Sequence, residues 1–281
     1  MSFGRTGTAA SGVLVVLVIA TGCAATPAAT APPRTCERGS LNTLYSEIIT
    51  FGTDQPAYPP WFIGDNPANG EGFESAVAYA VADKLGYSTE EVRWVRVPFN
   101  TAMAPGPKEF DANLSEFSIT DQRREVVDFS TPYYDVTQAV VTVQTSAAAT
   151  VTSLADLRSV RVGAQVGTTS STAARSIRGD APIEMYNTNI DAKLALRSGQ
   201  IDALVLDLPT AVAVQSELRG GLIVGRLPQG ESVEQFGAIL DKGSQLTPCV
   251  SQAIDELRAD GVLDELEARW LAKGVLPPLL S

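Results

Sequence analysis

Phe110-Asp111-Ala112-Asn113-Leu114-Ser115-Glu116-Phe117-Ser118-Ile119-Thr120-Asp121-Gln122-Arg123 carries a strand, a polar stop and a helix start in one stretch. Phe110–Leu114 reads as a strand, broken at once by Ser115 and Glu116. Thr120 then caps a helix through Arg123 and Arg124. The same grammar recurs downstream. The strand-like run Arg161–Val166 leads into Gly167-Thr168-Thr169, which opens a helix. Ile201–Leu206 ends at Asp207, and Pro209 stands where a helix begins. Around these lie further strand-like runs at Ile48–Phe51, Val92–Val97, Gln138–Val143 and Phe236–Leu240. Gly72–Leu85 reads as a helix, with Phe73, Ala76, Val77, Ala80 and Val81 on one face. Ser153–Leu157 is a short helix with Asp156 at its third position. Thr247-Pro248 starts a helix to Gly261, and Val262, Leu263, Leu266 and Trp270 make a last amphipathic stripe. Such alternation predicts an α/β fold with helices on both faces of its sheets. Ligands of these sheets bind beyond the carboxyl ends of the strands. Ser115–Ser118, Gly167–Thr169 and Asp207 all stand there.

Composition narrows the chemistry. The 281 residues include 32 acidic and 21 basic side chains, a net charge of -11, and no histidine. That charge argues against nucleic acid, which demands clustered Lys and Arg. Without His there is no Ser-His-Asp or Cys-His machinery and no imidazole zinc site. Pro67 breaks the calcium-loop spacing in the acidic stretch Asp65–Glu74, which reads as a turn. No cofactor and no metal are expected. The length predicts two domains or one large one once a leader is removed.

The amino terminus reads as an export signal over residues 1–22. Arg5 supplies positive charge, and Val13–Ala20 is an apolar core too short to span a bilayer. Ala20-Thr21-Gly22-Cys23 is similar to a bacterial lipobox, so lipidation of Cys23 is expected, the plainer alternative being an ordinary signal peptide. Residues 23–35 follow as a lipidated Cys and flexible tether rich in Ala, Thr and Pro. Export places the chain in an oxidising compartment, where Cys36 and Cys249 are expected to form a disulfide.

The run from Asp111 to Arg123, with Val126-Val127-Asp128-Phe129-Ser130-Thr131-Pro132-Tyr133-Tyr134, resembles the signature of family 3 extracellular solute-binding proteins. These are the amino-acid receptors of ABC importers. Gly72-Phe73-Glu74, Val162–Thr169 and Asp202–Asp207 agree in order and spacing. The resemblance spans roughly residues 45–275. It implies a type II periplasmic-binding-protein-like fold: two lobes, each a mixed sheet flanked by helices, joined by two hinge crossings near residues 140–146 and 233–238. Lobe 1 would comprise 36–142 plus 236–281, and lobe 2 residues 143–235. Arg123 resembles the residue that grips the ligand carboxylate. Ser118, Thr168 and Thr169 resemble the groups that complete that grip. Asp207 resembles the acid that holds the ammonium, Phe99 the aromatic wall, and Asp54, Tyr58 and Trp61 lie in the side-chain subsite.

Each of these has a plainer structural reading. Arg123 can be a surface or capping charge, Asp207 and the threonines can be helix caps, and the aromatics can be core. Glu116 departs from the family, which commonly has a small residue there. It turns either to solvent or into the cleft. In the cleft, Glu116, Asp54 and Asp207 set three acids against Arg123, favouring a polar or cationic side chain over Asp or Glu. The expected function is capture of a polar, possibly cationic, amino acid for an ABC permease, by a monomer anchored outside the cell by lipid. Rival readings are a periplasmic dehydratase on this scaffold, with Glu116 as general acid, and an amino-acid sensor domain.

Overall fold

In the computed structural model, β1 (Ile49–Thr53) is buried over its whole length, as a central strand covered on both faces must be. The description covers residues 1, 3, 4, 7, 35–229, 232–271 and 276–281. Cys23, almost all of the expected leader and the tether lie outside the described residues. Among these residues no helix is long and apolar enough to cross a membrane.

α1 (Phe73–Lys84) follows Gly72, whose φ is 100° and whose Cβ would lie 2.3 Å from the Trp61 carbonyl oxygen. Only glycine fits that approach. The chain continues through β2 (Val92–Arg96), α2 (Phe99–Ala102), β3 (Ala112–Asn113) and α3 (Asp121–Arg124), which Thr120 caps. β4 (Val127–Phe129), β5 (Tyr134–Val136) and β6 (Gln138–Val143) come next. α4 (Leu154–Leu157) carries the expected capping box of Ser153 and Asp156. β7 (Val162–Gln165), α5 (Thr169–Ser176), β8 (Glu184–Tyr186), α6 (Asn189–Ser198), β9 (Ala203–Asp207), α7 (Leu208–Glu217) and β10 (Gly221–Arg226) build the second half. β11 (Glu234–Phe236), β12 (Ile239–Asp241), α8 (Thr247–Ala259) and α9 (Val262–Trp270) complete the order.

Two five-stranded sheets result, ordered β2-β1-β3-β12-β4 and β10-β6-β9-β7-β8. Both are mixed: β1 runs parallel to β2 and β3, while β12 is antiparallel to β3 and β4. In the second sheet β7 runs parallel to β8 and β9, while β6 is antiparallel to β9 and β10. Helices α1, α8 and α9 pack together on the first sheet. Cys36 and Cys249 are joined by a disulfide, with a Cα–Cα distance of 5.3 Å, which ties the start of the folded region to α8.

Between the sheets, β5 pairs antiparallel with β11 in a two-stranded ribbon. The chain leaves the first sheet through β5 and returns through β11, so the first sheet draws on two separate stretches of chain. The first crossing point differs from the one read in sequence, while β11 lies within the second, 233–238. The first lies at residues 134–137 rather than 140–146, because all of β6 belongs to the second sheet, where Gln138 faces Asp207 on β9. A β-branched buried run carries no sign of which sheet it joins. The run Phe236–Leu240 is two strands, parted at Gly237, where a Cβ would meet the Ile119 side chain at 2.9 Å. The carboxyl end also departs from the expected lobe 1. Leu279 bridges Arg226, and Leu280 is buried in the core of the second sheet.

Candidate functional site

The carboxyl ends of β1, β3, β7 and β9 converge on a cleft between the two sheets. Thr53, Asp54, Tyr58, Trp61, Glu74, Phe99, Ser115, Glu116 and Arg123 line it from the first lobe. Gln165, Thr168, Thr169, Ser170, Asn189 and Asp207 line it from the second. The free space within the cleft is about 30 Å³. A water molecule requires about 10–15 Å³, so the cleft holds little more than water and an amino acid enters only if the lobes part.

Arg123 sits where α3 begins. Its Nη1 donates to the Ser118 carbonyl at 2.7 Å and its Nη2 donates across the cleft to the Gly167 carbonyl at 3.0 Å. The guanidinium lies 5.6 Å from the centre of the Phe99 ring, which stacks on Phe117 with centroids 4.9 Å apart. Burial lowers its pKa, while Glu234 and Asp207 oppose that shift. Arg123 is the only basic side chain among the described residues lining the cleft.

Thr168 does cap α5: its Oγ1 accepts from the Ser171 N–H at 3.0 Å. Thr168, Thr169 and Ser170 therefore bring the amino end of an eight-residue helix to the cleft wall, next to Arg123. Such an end favours an anion. Ser118 stands one layer behind the wall. Its hydroxyl donates to Glu234 Oε1 at 2.6 Å and lies 3.0 Å from Thr169 Oγ1.

Asp207 occupies the position before α7 without capping it by its side chain. Its Oδ1 accepts from Gln138 Nε2 at 2.6 Å, and Ser170 fixes that amide by donating to Gln138 Oε1 at 2.7 Å. Burial pushes the Asp207 carboxyl well up, aided by the charges of Glu234 and Glu116. Burial likewise raises Asp54, whose Oδ1 accepts from the N–H groups of Gln55 and Phe99 at 2.7 and 3.2 Å.

Glu116 points into the cleft. Its Oε2 accepts from the Thr210 hydroxyl at 2.6 Å, and that hydroxyl accepts from Trp61 Nε1 at 2.7 Å. The relay joins the lobes. Trp61 is also core, packed edge-on to Phe73, Tyr134 and Phe236. Tyr58 makes another cross-cleft contact, accepting from Asn189 Nδ2 at 2.5 Å. Burial raises the Glu116 carboxyl to about 8, with the charge of Glu74 adding to the shift.

Glu74 stands in the Gly72-Phe73-Glu74 motif, which assigns it no role in the sequence. In the fold it is fully buried and faces the cleft. Asn189 and Thr210 were also missed. Asn189 follows Thr188, which caps α6 and is answered by Asp191 three residues on, a signal that was legible.

Two mixed sheets around a polar cleft at their strand ends, together with the similarity to solved amino-acid-binding proteins, define a type II periplasmic binding protein fold. The chain belongs to the bacterial extracellular solute-binding proteins, family 3, whose family model matches residues 49–273. It is 27% identical to the L-arginine-binding protein of Pseudomonas aeruginosa over 253 residues, 83% of this chain and 95% of that one. Among solved structures it is similar to an ancestral arginine-binding protein bound to arginine. The TM-score is 0.68 at 30% identity, covering 80% of this chain and 99% of that one. It is also similar to an ancestral amino-acid-binding protein described as a precursor of cyclohexadienyl dehydratase. There the TM-score is 0.67 at 29% identity, with 80% and 96% covered.

Proposed function

We propose that this protein captures a basic L-amino acid for an ABC importer and releases it to the permease. One observation carries the reading: Arg123 faces Asp54, Glu74, Glu116 and Asp207 with no second cation on the cleft wall among the described residues. A zwitterion matches one Arg and one acid. The ligand carboxylate suits Arg123 with the amino end of α5, and its ammonium suits Asp207. The remaining acids suit a cationic side chain and repel an acidic one. The arginine-binding relatives support the same class. The Phe99 ring supplies the apolar wall, and Ser118 acts by holding Thr169.

The test is a thermal-shift screen of the amino acids on protein refolded to remove any carried ligand. A micromolar ligand at millimolar dose adds about 4 kcal/mol. Lysine or arginine should give the largest shift. A largest shift with aspartate or glutamate would contradict the reading.

A dehydratase on this scaffold is the second reading, favoured by the raised pKa of Glu116, which suits a general acid, and by the ancestral neighbour. Turnover of prephenate or arogenate decides it. The lipid anchor at Cys23 rests on sequence alone. Partition of the exported protein into detergent, lost on Cys23→Ser, tests it.

A further inference from the structure

Glu74 is 0% exposed, and its two carboxyl oxygens are treated differently. Oε1 accepts from the Glu116 N–H at 2.7 Å and from the Tyr133 hydroxyl. Oε2 is buried and has no hydrogen-bond partner. An ionised carboxylate left so is costly. Glu116 stands beside it and is fixed from three directions. Its φ is 55°, a left-handed conformation that a residue with a Cβ adopts only when its surroundings impose it. Its N–H is held by Glu74, and its Oε2 is held by Thr210 from the other lobe.

The groups facing the pair are nearly all acidic or neutral. Asp207 and Asp54 bear on it from β9 and from the loop after β1, and Tyr58 and Tyr133 meet it through their hydroxyls. The nearest balancing cation on the wall is Arg123, which acts on Asp207. Burial raises both carboxyls, Glu74 to about 7 with the charge of Asp207 adding to the shift, and Glu116 to about 8 with the charge of Glu74 adding.

We propose that Glu74 and Glu116 form a cation subsite, in which the positively charged side chain of a bound amino acid displaces a proton that the pair holds in the ligand-free protein. This rests on the reading of the protein as a receptor for basic amino acids. The exchange balances in charge: the ligand cation enters and one proton leaves to solvent. The bare cleft thereby avoids two adjacent buried charges. A neutral side chain of the same shape displaces nothing and leaves the pair protonated, so the preference for the cation grows as pH rises through the range where the pair gives up its proton.

Calorimetry with L-arginine and its neutral isostere L-citrulline tests this, in two buffers of different ionisation enthalpy and from pH 5.5 to 8. L-arginine should release about one proton, and its Kd should tighten about tenfold per pH unit between 5.5 and 7. L-citrulline should release none. Glu116→Gln and Glu74→Gln, which keep the hydrogen-bonding shape, should each abolish the release and narrow the preference for arginine over citrulline. Binding of L-arginine with no proton release and a flat Kd would overturn the subsite while leaving the receptor reading intact. Absence of binding by any amino acid would contradict the receptor reading, and the subsite with it.

Discussion

Arg123 and Gly167 meet across the cleft: the guanidinium of one donates to the carbonyl of the other at 3.0 Å. Gly167 has φ of 80°, and a Cβ there would lie 2.3 Å from Asn100 Oδ1, on the opposite lobe. Closure thus brings the Asn100 and Arg123 side chains against the Gly167 backbone, where a Cβ would intervene. Gly167→Ala should lower apo stability by about 1–2 kcal/mol through the left-handed conformation, and should also weaken ligand affinity. In Asn100→Ala/Gly167→Ala the clash is gone but the strain remains. Affinity measured by calorimetry should recover while the melting temperature does not. A double variant as weak a binder as the single one would contradict this.

Asp207 offers a variant whose two effects oppose. Its carboxyl is buried, raised in pKa, and held by Gln138 at 2.6 Å. Asp207→Asn retains an acceptor for that amide and removes a buried charge. The apo melting temperature should stay or rise. Affinity for any L-amino acid should fall by about 2–5 kcal/mol, the cost of leaving an ammonium without its partner. Loss of both stability and binding would mean that Asp207 is structural.

The raised carboxyls also set a pH dependence. Glu74 and Glu116 titrate at about 7 and about 8 in the fold, against about 4.3 in an unfolded chain. Between those limits the folded protein holds more protons than the unfolded one, so ligand-free stability falls as pH rises. It is fully present below about 4.3 and lost through 7 to 8. Denaturation midpoints from pH 5 to 8.5 should therefore decline, and Glu116→Gln should flatten the decline. A midpoint rising over that range would contradict the assignment.

The disulfide lies away from the cleft wall, so its effect separates from binding. Cys36→Ser/Cys249→Ser should cost about 2–5 kcal/mol in denaturant unfolding. Affinity for L-arginine should be unchanged. Weakened binding in proportion to lost stability would show that the bridge also positions the site.

Much of the fold was legible because local signals coincided with tertiary ones. The caps at Thr120, Ser153 and Thr168 fall where the side-chain chemistry places them. The strand ends that carry Glu116, Thr168 and Asp207 do converge on one cleft. Legibility failed where a residue's role depends on its neighbour in space. Glu74 follows Phe73 in the first turn of α1, an ordinary place for an acid near a helix amino end. Nothing local says that Tyr133 and Glu116 close over it. Glu116 reads equally as facing solvent or cleft in the sequence, and only its contact with Thr210 from the other lobe decides it. The split of the run Phe236–Leu240 was hidden for a related reason. Its residues are mostly buried on either side of the bend, and only the pairing with β5 and then β4 tells the two strands apart.

The central claim is that one arginine among acids recognises a basic zwitterion. Titration calorimetry of L-arginine and L-glutamate into the wild type and Arg123→Ala tests it most directly. The account predicts tighter binding of L-arginine by the wild type and no measurable binding of either ligand by the variant, with its apo melting temperature nearly unchanged. Tighter binding of L-glutamate, or wild-type affinity retained in Arg123→Ala, would contradict it.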